Sequence, residues 1–500
     1  MDPAWARHLP PGVDPASVDL LARRSLPAAW GSRFVAEPER PVLHDGDRWH
    51  TAGDLDRRSR AAASRFARAG LGPGDRVVMS AATSYDLVVA HVAALRLGLV
   101  VVPVNGAYRA REIGAIVADC EPAAAVVDSE ARGATVQELA SGPVLVVDPA
   151  VSTLADGPEP DLDACGPDDL ALLCYTSGTT GSPKGAMLTH GNTLASCEAL
   201  RLAWRWDEHD RLVLALPLFH VHGLGVGLHG TLLCGGSAVL LPRFDADAMF
   251  DAARAHDATL FFGVPTMYAR LAASPRAAEL AGLRLCVSGS APLPASLHEE
   301  LAVRAGVRVL ERYGMTETIM NVSDPYDGER RHGTVGFPLP GVDLRLDRSE
   351  DGDDAGEILL RGPNVFPGYW RREDATHAAF TDGWFRSGDI GELDADGYLS
   401  IVGRAKELII SGGFNVYPRD VEDVLLAHPA VAEVAVVGES SDEWGELVVA
   451  VVVPAGEPPS EAELLAHAAR DLAPYKRPRR VRFVDALPRN ALGKVLRHEL

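Results

Sequence analysis

Apolar positions along this chain fall into short runs that alternate with amphipathic stretches. Thr51 and Asp54 form a helix start for residues 55–69, and Gly70, Gly72, Pro73 and Gly74 end that helix. A strand is predicted at 76–80, then a helix at 87–97 leading into a strand at 99–104. Helix-then-strand units recur through 124–127, 143–147, 212–216, 237–241, 260–262 and 285–288. This alternation predicts α/β layers with largely parallel sheets. The longest apolar run, 87–104, is broken by His91 and Arg96, so it reads as a buried helix and strand rather than a membrane span. Residues 351–356 form an acidic turn before a strand at 357–361. Beyond Arg404 the pattern changes. Val421, Val424 and Leu425 share a helix face, strands follow at 431–437 and 447–453, and Ser460 with Glu463 starts a helix through Leu472. About a hundred residues suffice for a small α/β domain. Two domains are therefore expected, 1–403 and 404–500, with the break at 403–406.

Composition changes the picture in two ways. The net charge of −21 argues against nucleic-acid or anionic-membrane partners. It also requires that any polyphosphate be held by local cations and backbone amides. Six scattered cysteines without a CxxC pair read as reduced packing residues, which points to the cytoplasm. Asp2, Pro10, Pro11, Asp14 and Asp19 leave no apolar signal-peptide core in the first twenty residues.

The strongest chemical feature follows an apolar strand at 170–174. Thr176, Ser177, Gly178, Thr179, Thr180, Gly181, Ser182, Pro183, Lys184 and Gly185 combine hydroxyls, a lysine and glycines that let backbone N–H groups turn toward phosphate oxygens. The spacing does not fit the Walker loop. Gly225, Gly227 and Gly230 match G-x-G-x-x-G, but residues 217–224 separate them from the strand at 212–216, so they read as close helix packing. A second motif, Glu311, Arg312, Tyr313, Gly314, Met315, Thr316 and Glu317, sets an aromatic face, a hydroxyl and a carboxylate within five residues. A third, Trp384 to Asp389, ends on an acid after a glycine.

Together these motifs resemble those of the superfamily of AMP-forming acyl-CoA synthetases, peptide-synthetase adenylation domains and luciferases, from about Leu21 to the end. The resemblance implies an α/β fold with a large N-terminal domain of layered sheets and a small mobile C-terminal domain. It implies ATP, Mg2+ and coenzyme A as cofactors and co-substrates. Thr176 to Gly181 and Lys184 would hold phosphates, and Glu317 would carry Mg2+. Gly289, Ser290, Ala291 and Pro292 would face Tyr313 across adenine. Asp389 and Arg404 would take the ribose. Lys494, in a P-x4-G-K stretch, matches the catalytic lysine, Lys406 the hinge, and Ser411, Gly412, Gly413 and Phe414 the loop beside the CoA tunnel. A lysine acetyltransferase acting on Lys494 would abolish its charge. Nothing demands more than a monomer or weak dimer.

The acyl pocket matches His220, Val221, Ser288, Arg312 and Met320. Most relatives have a small neutral residue where Arg312 stands. A buried arginine is costly without an anion, and a guanidinium grips a carboxylate at two points. The stretches 216–224 and 311–327 resemble malonyl-CoA synthetases. The expected substrate is therefore malonate, with methylmalonate a second, because Val221 and Met320 would bound the α-carbon. The alternatives are Arg312 paired internally with Glu311 or another acid, a ligase for an uncharged short or medium acid, and an adenylation enzyme loading a carrier protein. His220 either supports the anion or is a core residue. Arg284 and Arg331 are weaker specificity candidates. Lys476, Arg477, Arg479, Arg480 and Arg482 either meet CoA phosphates or form a solvated face.

Overall fold

A computed structural model describes residues 3–176, 183–348, 354–411, 414–441, 444–490 and 494–500. The chain forms two compact units. One holds residues 1–332, 336–343 and 360–385, and the other 333–335, 344–359 and 386–500. The expected break at 403–406 falls inside the second unit.

The first unit contains two large sheets. In one, Leu145–Val147, Ala124–Val127, Arg76–Ser80, Val100–Pro103 and Leu170–Thr176 run parallel in that order, and Lys184–Thr189 closes the edge antiparallel. In the other, Pro41–His44, Ser237–Leu240, Arg211–Leu214, Leu260–Gly263, Leu285–Ser288 and Leu310–Tyr313 are parallel. The strands predicted at 76–80 and 285–288 form with those bounds.

The capped helix also forms, as Ala52–Arg68, with Asp54 N–H donating to Thr51 Oγ1 at 3.2 Å. The polar interruption of the longest apolar run has a structural cause. Arg96, buried in helix Tyr85–Arg96, pairs with Asp56 at 2.7 Å and Asp163 at 2.9 Å. Around Gly225 the chain forms a π-helical turn, His222–Leu228, that passes into helix His229–Cys234. A Cβ on Gly230 would sit 2.5 Å from the Trp206 ring, which is the close packing the sequence implies.

In the second unit, helix Pro418–Leu426 buries Val421 and Leu425 against strands Val431–Ser441 and Gly445–Pro454. Both strands outrun their apolar cores, because polar Glu439, Ser440 and Ser441 still pair with Leu447, Glu446 and Gly445. Ser460 caps helix Glu461–Asp471 by accepting from Glu463 N–H at 3.2 Å. The strand expected after the acidic turn is found at Gly356–Arg361, whereas residues 351–353 of the turn lie outside the described ones. All six cysteines are free thiols. Among the described residues no helix is long and apolar enough to cross a membrane.

Candidate active site

Strand Leu170–Thr176 and the edge strand Lys184–Thr189 set Thr176 opposite Lys184. Ser177, Gly178, Thr179, Thr180 and Gly181 lie outside the described residues, as do Gly412 and Gly413. The Lys184 ammonium stands 5.3 Å from the centre of the Tyr369 ring, within cation–π range. The Tyr369 hydroxyl donates to Glu317 Oε1 at 2.8 Å. Glu317 is buried, and its charge adds to burial in pushing the Cys174 thiol up to about 12. The structure therefore brings Thr176, Lys184 and Glu317 together, as their motifs imply, and adds Tyr369. Among the described residues no cluster of three or more His, Cys, Asp or Glu would hold a metal alone. One buried carboxylate linked to Lys184 through Tyr369 suits Mg2+, which keeps most of its shell as waters and phosphate oxygens.

The loop after strand Leu285–Ser288 carries Gly289 to Pro292. Ser290 sits at φ +70°, in the left-handed region. Glu311 Oε2 accepts from Leu293 N–H at 3.1 Å, tying this loop to strand Leu310–Tyr313. The other candidates on the strand and the turn after it, Tyr313, Met315 and Thr316, are only partly buried.

Arg312 is the unusual group. It is 5% exposed, and among the described residues neither Nε nor Nη2 has a partner. Burial alone pulls its pKa down to about 9, with no acid opposing the shift. The guanidinium lies on Gly289, where a Cβ would stand 2.4 Å from Arg312 Cζ. Its charge joins burial in holding His220 neutral, down to about 4, and His222 well below 6.5. His220 Nδ1 accepts from His222 N–H at 3.2 Å, and His222 Nδ1 meets Ser290 Oγ at 3.3 Å. His222 Nε2 and Ser288 Oγ are buried without partners. Val221 and Met320 are both buried, and Ile319, the residue before Met320, takes φ +58°, rare for a β-branched residue. Among the described residues no acid acts on Arg312, so the pairing with Glu311 or another internal acid that the sequence left open is not seen there.

In the second unit Asp389 and Arg404 face each other across an antiparallel ladder and pair at 3.0 Å. Lys494 is near them. Burial and Arg404 lower its pKa, whereas Glu407 and Asp389 raise it. Lys494 N–H donates to Asn490 Oδ1 at 3.0 Å, and Asn490 N–H to Lys494 O at 2.9 Å. Arg497 pins the segment through Glu407 at 3.1 Å and Glu422 at 3.0 Å. Ser411 is buried, and Phe414 stacks on Tyr475 at 4.8 Å.

The weaker candidates have internal partners. Arg284 binds Asp210 Oδ1 at 2.6 Å and the Trp204 carbonyl at 3.0 Å. Arg331 binds Glu329 at 3.0 Å. Lys476 pairs with Asp420, Arg480 with Glu439, Arg482 with the Leu500 carbonyl, and Arg479 lies over Trp444. Sequence reasoning missed Tyr369, His222 and Arg497. His222 had a readable signal in its spacing from His220; the other two had none.

A buried, unpartnered guanidinium and a lysine held close to a buried carboxylate suit an enzyme that handles anions. The AMP-binding enzyme profile matches residues 32–370 and the AMP-binding enzyme C-terminal domain profile residues 420–494. The chain belongs to the AMP-binding enzymes and is an AMP-forming CoA ligase that uses ATP, Mg2+ and coenzyme A. Feruloyl-CoA synthase of Amycolatopsis is 39% identical over 94% of this chain and 96% of its own. The ATP-bound crystal structure of MatB from Rhodopseudomonas palustris superposes with TM-score 0.89 at 39% identity, covering 95% of this chain and 98% of that one. A malonyl-CoA ligase ternary product complex with methylmalonyl-CoA and AMP is 45% identical, with TM-score 0.67, over 90% of this chain and 97% of that one. The names of the relatives thus divide among different acids.

Proposed function

We propose that this enzyme ligates malonate, and methylmalonate as a second substrate, to coenzyme A through an acyl-adenylate, releasing AMP and pyrophosphate. The observation that carries the reading is the buried Arg312 guanidinium with unpartnered Nε and Nη2 and no acid opposing it. Such a cation awaits an anion, and a second carboxylate on the substrate is the anion that fits a two-point fork. Neutral His222 Nε2 and the Ser288 hydroxyl add uncharged hydrogen-bonding groups. The 45% identical malonyl-CoA ligase supports the same reading.

In this account Arg312 anchors the distal carboxylate, so the reacting carboxylate is presented to the α-phosphate. Both are anions, and the step depends on charge compensation and positioning. Lys184 and Thr176 hold phosphate oxygens. Lys494 bridges the reacting carboxylate and the α-phosphate, and Asp389 with Arg404 holds the ribose. Mg2+, when bound at Glu317, neutralises polyphosphate charge. Ser411 and Phe414 receive the pantetheine chain, and the 404–500 segment turns about Lys406 between the two steps.

The test is AMP release with ATP, Mg2+ and CoA across acetate, butyrate, ferulate, malonate and methylmalonate. Malonate and methylmalonate should give the highest kcat/KM. A monoacid or ferulate above both would overturn the proposal.

A further inference from the structure

The segment 366–370 joins the two phosphate-handling motifs, although it belongs to neither. Phe366 N–H donates to the Glu317 carbonyl at 2.9 Å. Trp370 N–H donates to the Gly185 carbonyl at 2.8 Å, and Met187 N–H to the Gly368 carbonyl at 3.1 Å, so Tyr369 bridges to Ala186 on the strand that leaves the phosphate loop. The strap is itself fixed. Tyr369 N–H donates to Thr376 Oγ1 at 2.9 Å, and Gly368, at φ +149°, lies so close to Thr376 that a Cβ would come within 2.5 Å of it. The side chain held this way does two things at once. Its hydroxyl donates to Glu317 Oε1 at 2.8 Å, and its ring face lies beneath Lys184 Nζ at 5.3 Å.

We infer that Tyr369 is a positioning residue for the divalent cation and the polyphosphate. It fixes the rotamer of the Glu317 carboxylate and sets Lys184 against it, so that one rigid strap aligns both charges before the nucleotide arrives. A hydrogen-bond donor that orients a metal-binding carboxylate typically controls cation affinity by about 10–100-fold. Packing alone would predict a loss of stability but no selective change in cation affinity. This inference rests on the reading of Glu317 as the cation ligand.

The experiment measures Mn2+ affinity by electron paramagnetic resonance with saturating ATP, for wild type, Tyr369→Phe and Glu317→Gln. It is paired with pyrophosphate formation titrated against free Mg2+ and with thioester formation from preformed malonyl-adenylate and CoA. Tyr369→Phe keeps the ring under Lys184 and removes only the hydroxyl. It should weaken Mn2+ binding by about 10-fold, raise the half-saturating Mg2+ of the first step by a similar factor, and leave thioester formation near wild type. Wild-type Mn2+ affinity in Tyr369→Phe beside weakened binding in Glu317→Gln would overturn the inference and spare the reading of Glu317. Wild-type affinity in both variants would overturn both. Equal loss in the two half-reactions with unchanged Mn2+ affinity would reduce Tyr369 to a packing residue and also overturn it.

Discussion

Replacing Arg312 by methionine should make the free enzyme more stable and the diacid reaction much slower. The guanidinium is 5% exposed, meets no opposing acid among the described residues and is pulled down to about 9 by burial. At about 1.4 kcal/mol per factor of ten, that shift represents several kcal/mol of desolvation. Local relaxation will absorb part of it, so a gain of about 1–3 kcal/mol in unfolding free energy is expected from an apolar side chain of similar length. The substrate loses in the opposite sense. Without Arg312 the distal carboxylate of malonate enters a buried site with no cation, a change that costs about 2–5 kcal/mol. That is a fall of about 30- to several-thousand-fold in kcat/KM. Acetate, the same acid without the distal carboxylate, should be unaffected or improved. The assay is coupled AMP release for malonate and acetate, beside denaturant unfolding of both proteins without ligand. A variant that is less stable and keeps the malonate-to-acetate ratio of the wild type would refute the reasoning, because Arg312 would then be a structural cation.

Three further outcomes follow from the same geometry. Gly289→Ala places a Cβ 2.4 Å from Arg312 Cζ, so the guanidinium must move; malonate kcat/KM should drop by about 10-fold or more while ATP KM stays near wild type, and an unchanged malonate rate would show that Arg312 acts elsewhere. Arg497→Met frees the Lys494 segment from Glu407 and Glu422, so pyrophosphate formation should fall by about 10-fold while thioester formation from preformed malonyl-adenylate persists; equal loss in both would point to a folding defect. His8, His190 and His220 are each lowered to about 4 and His91 to about 3, mainly by burial. The unfolded chain therefore takes up protons near pH 6.5 that the folded chain refuses, so stability is full above that pH and is lost as pH falls toward 4, by about 1.4 kcal/mol per pH unit for each histidine. Denaturant unfolding at pH 7, 6 and 5 checks this, and a flat profile would contradict the buried neutral state.

Much of the fold was legible because its strands are short apolar runs of β-branched residues between amphipathic helices. Val77 and Val78 or Cys286 and Val287 can only be central, and the parallel order follows from the crossover helices. The strands at Val431–Ser441 and Gly445–Pro454 were read short, since their polar ends pair as a hairpin without any hydrophobic signal. In the site, Thr176, Lys184 and Glu317 were legible because phosphate and cation chemistry restrict the residue types within a few positions. Tyr369 was not. It reaches Glu317 across 52 residues of chain from a segment with no pattern of its own. Arg312 stands between the two cases. Its type signalled an anion, but only the packing shows that no acid among the described residues answers it.

The most direct test of the central claim is a competition. Wild-type enzyme receives ATP, Mg2+, limiting CoA and equal concentrations of malonate, acetate and ferulate, and the thioesters are counted by mass spectrometry. Malonyl-CoA as the dominant product is the predicted result. Acetyl-CoA or feruloyl-CoA in excess would contradict the account and return Arg312 to the list of groups whose purpose lies outside the acyl pocket.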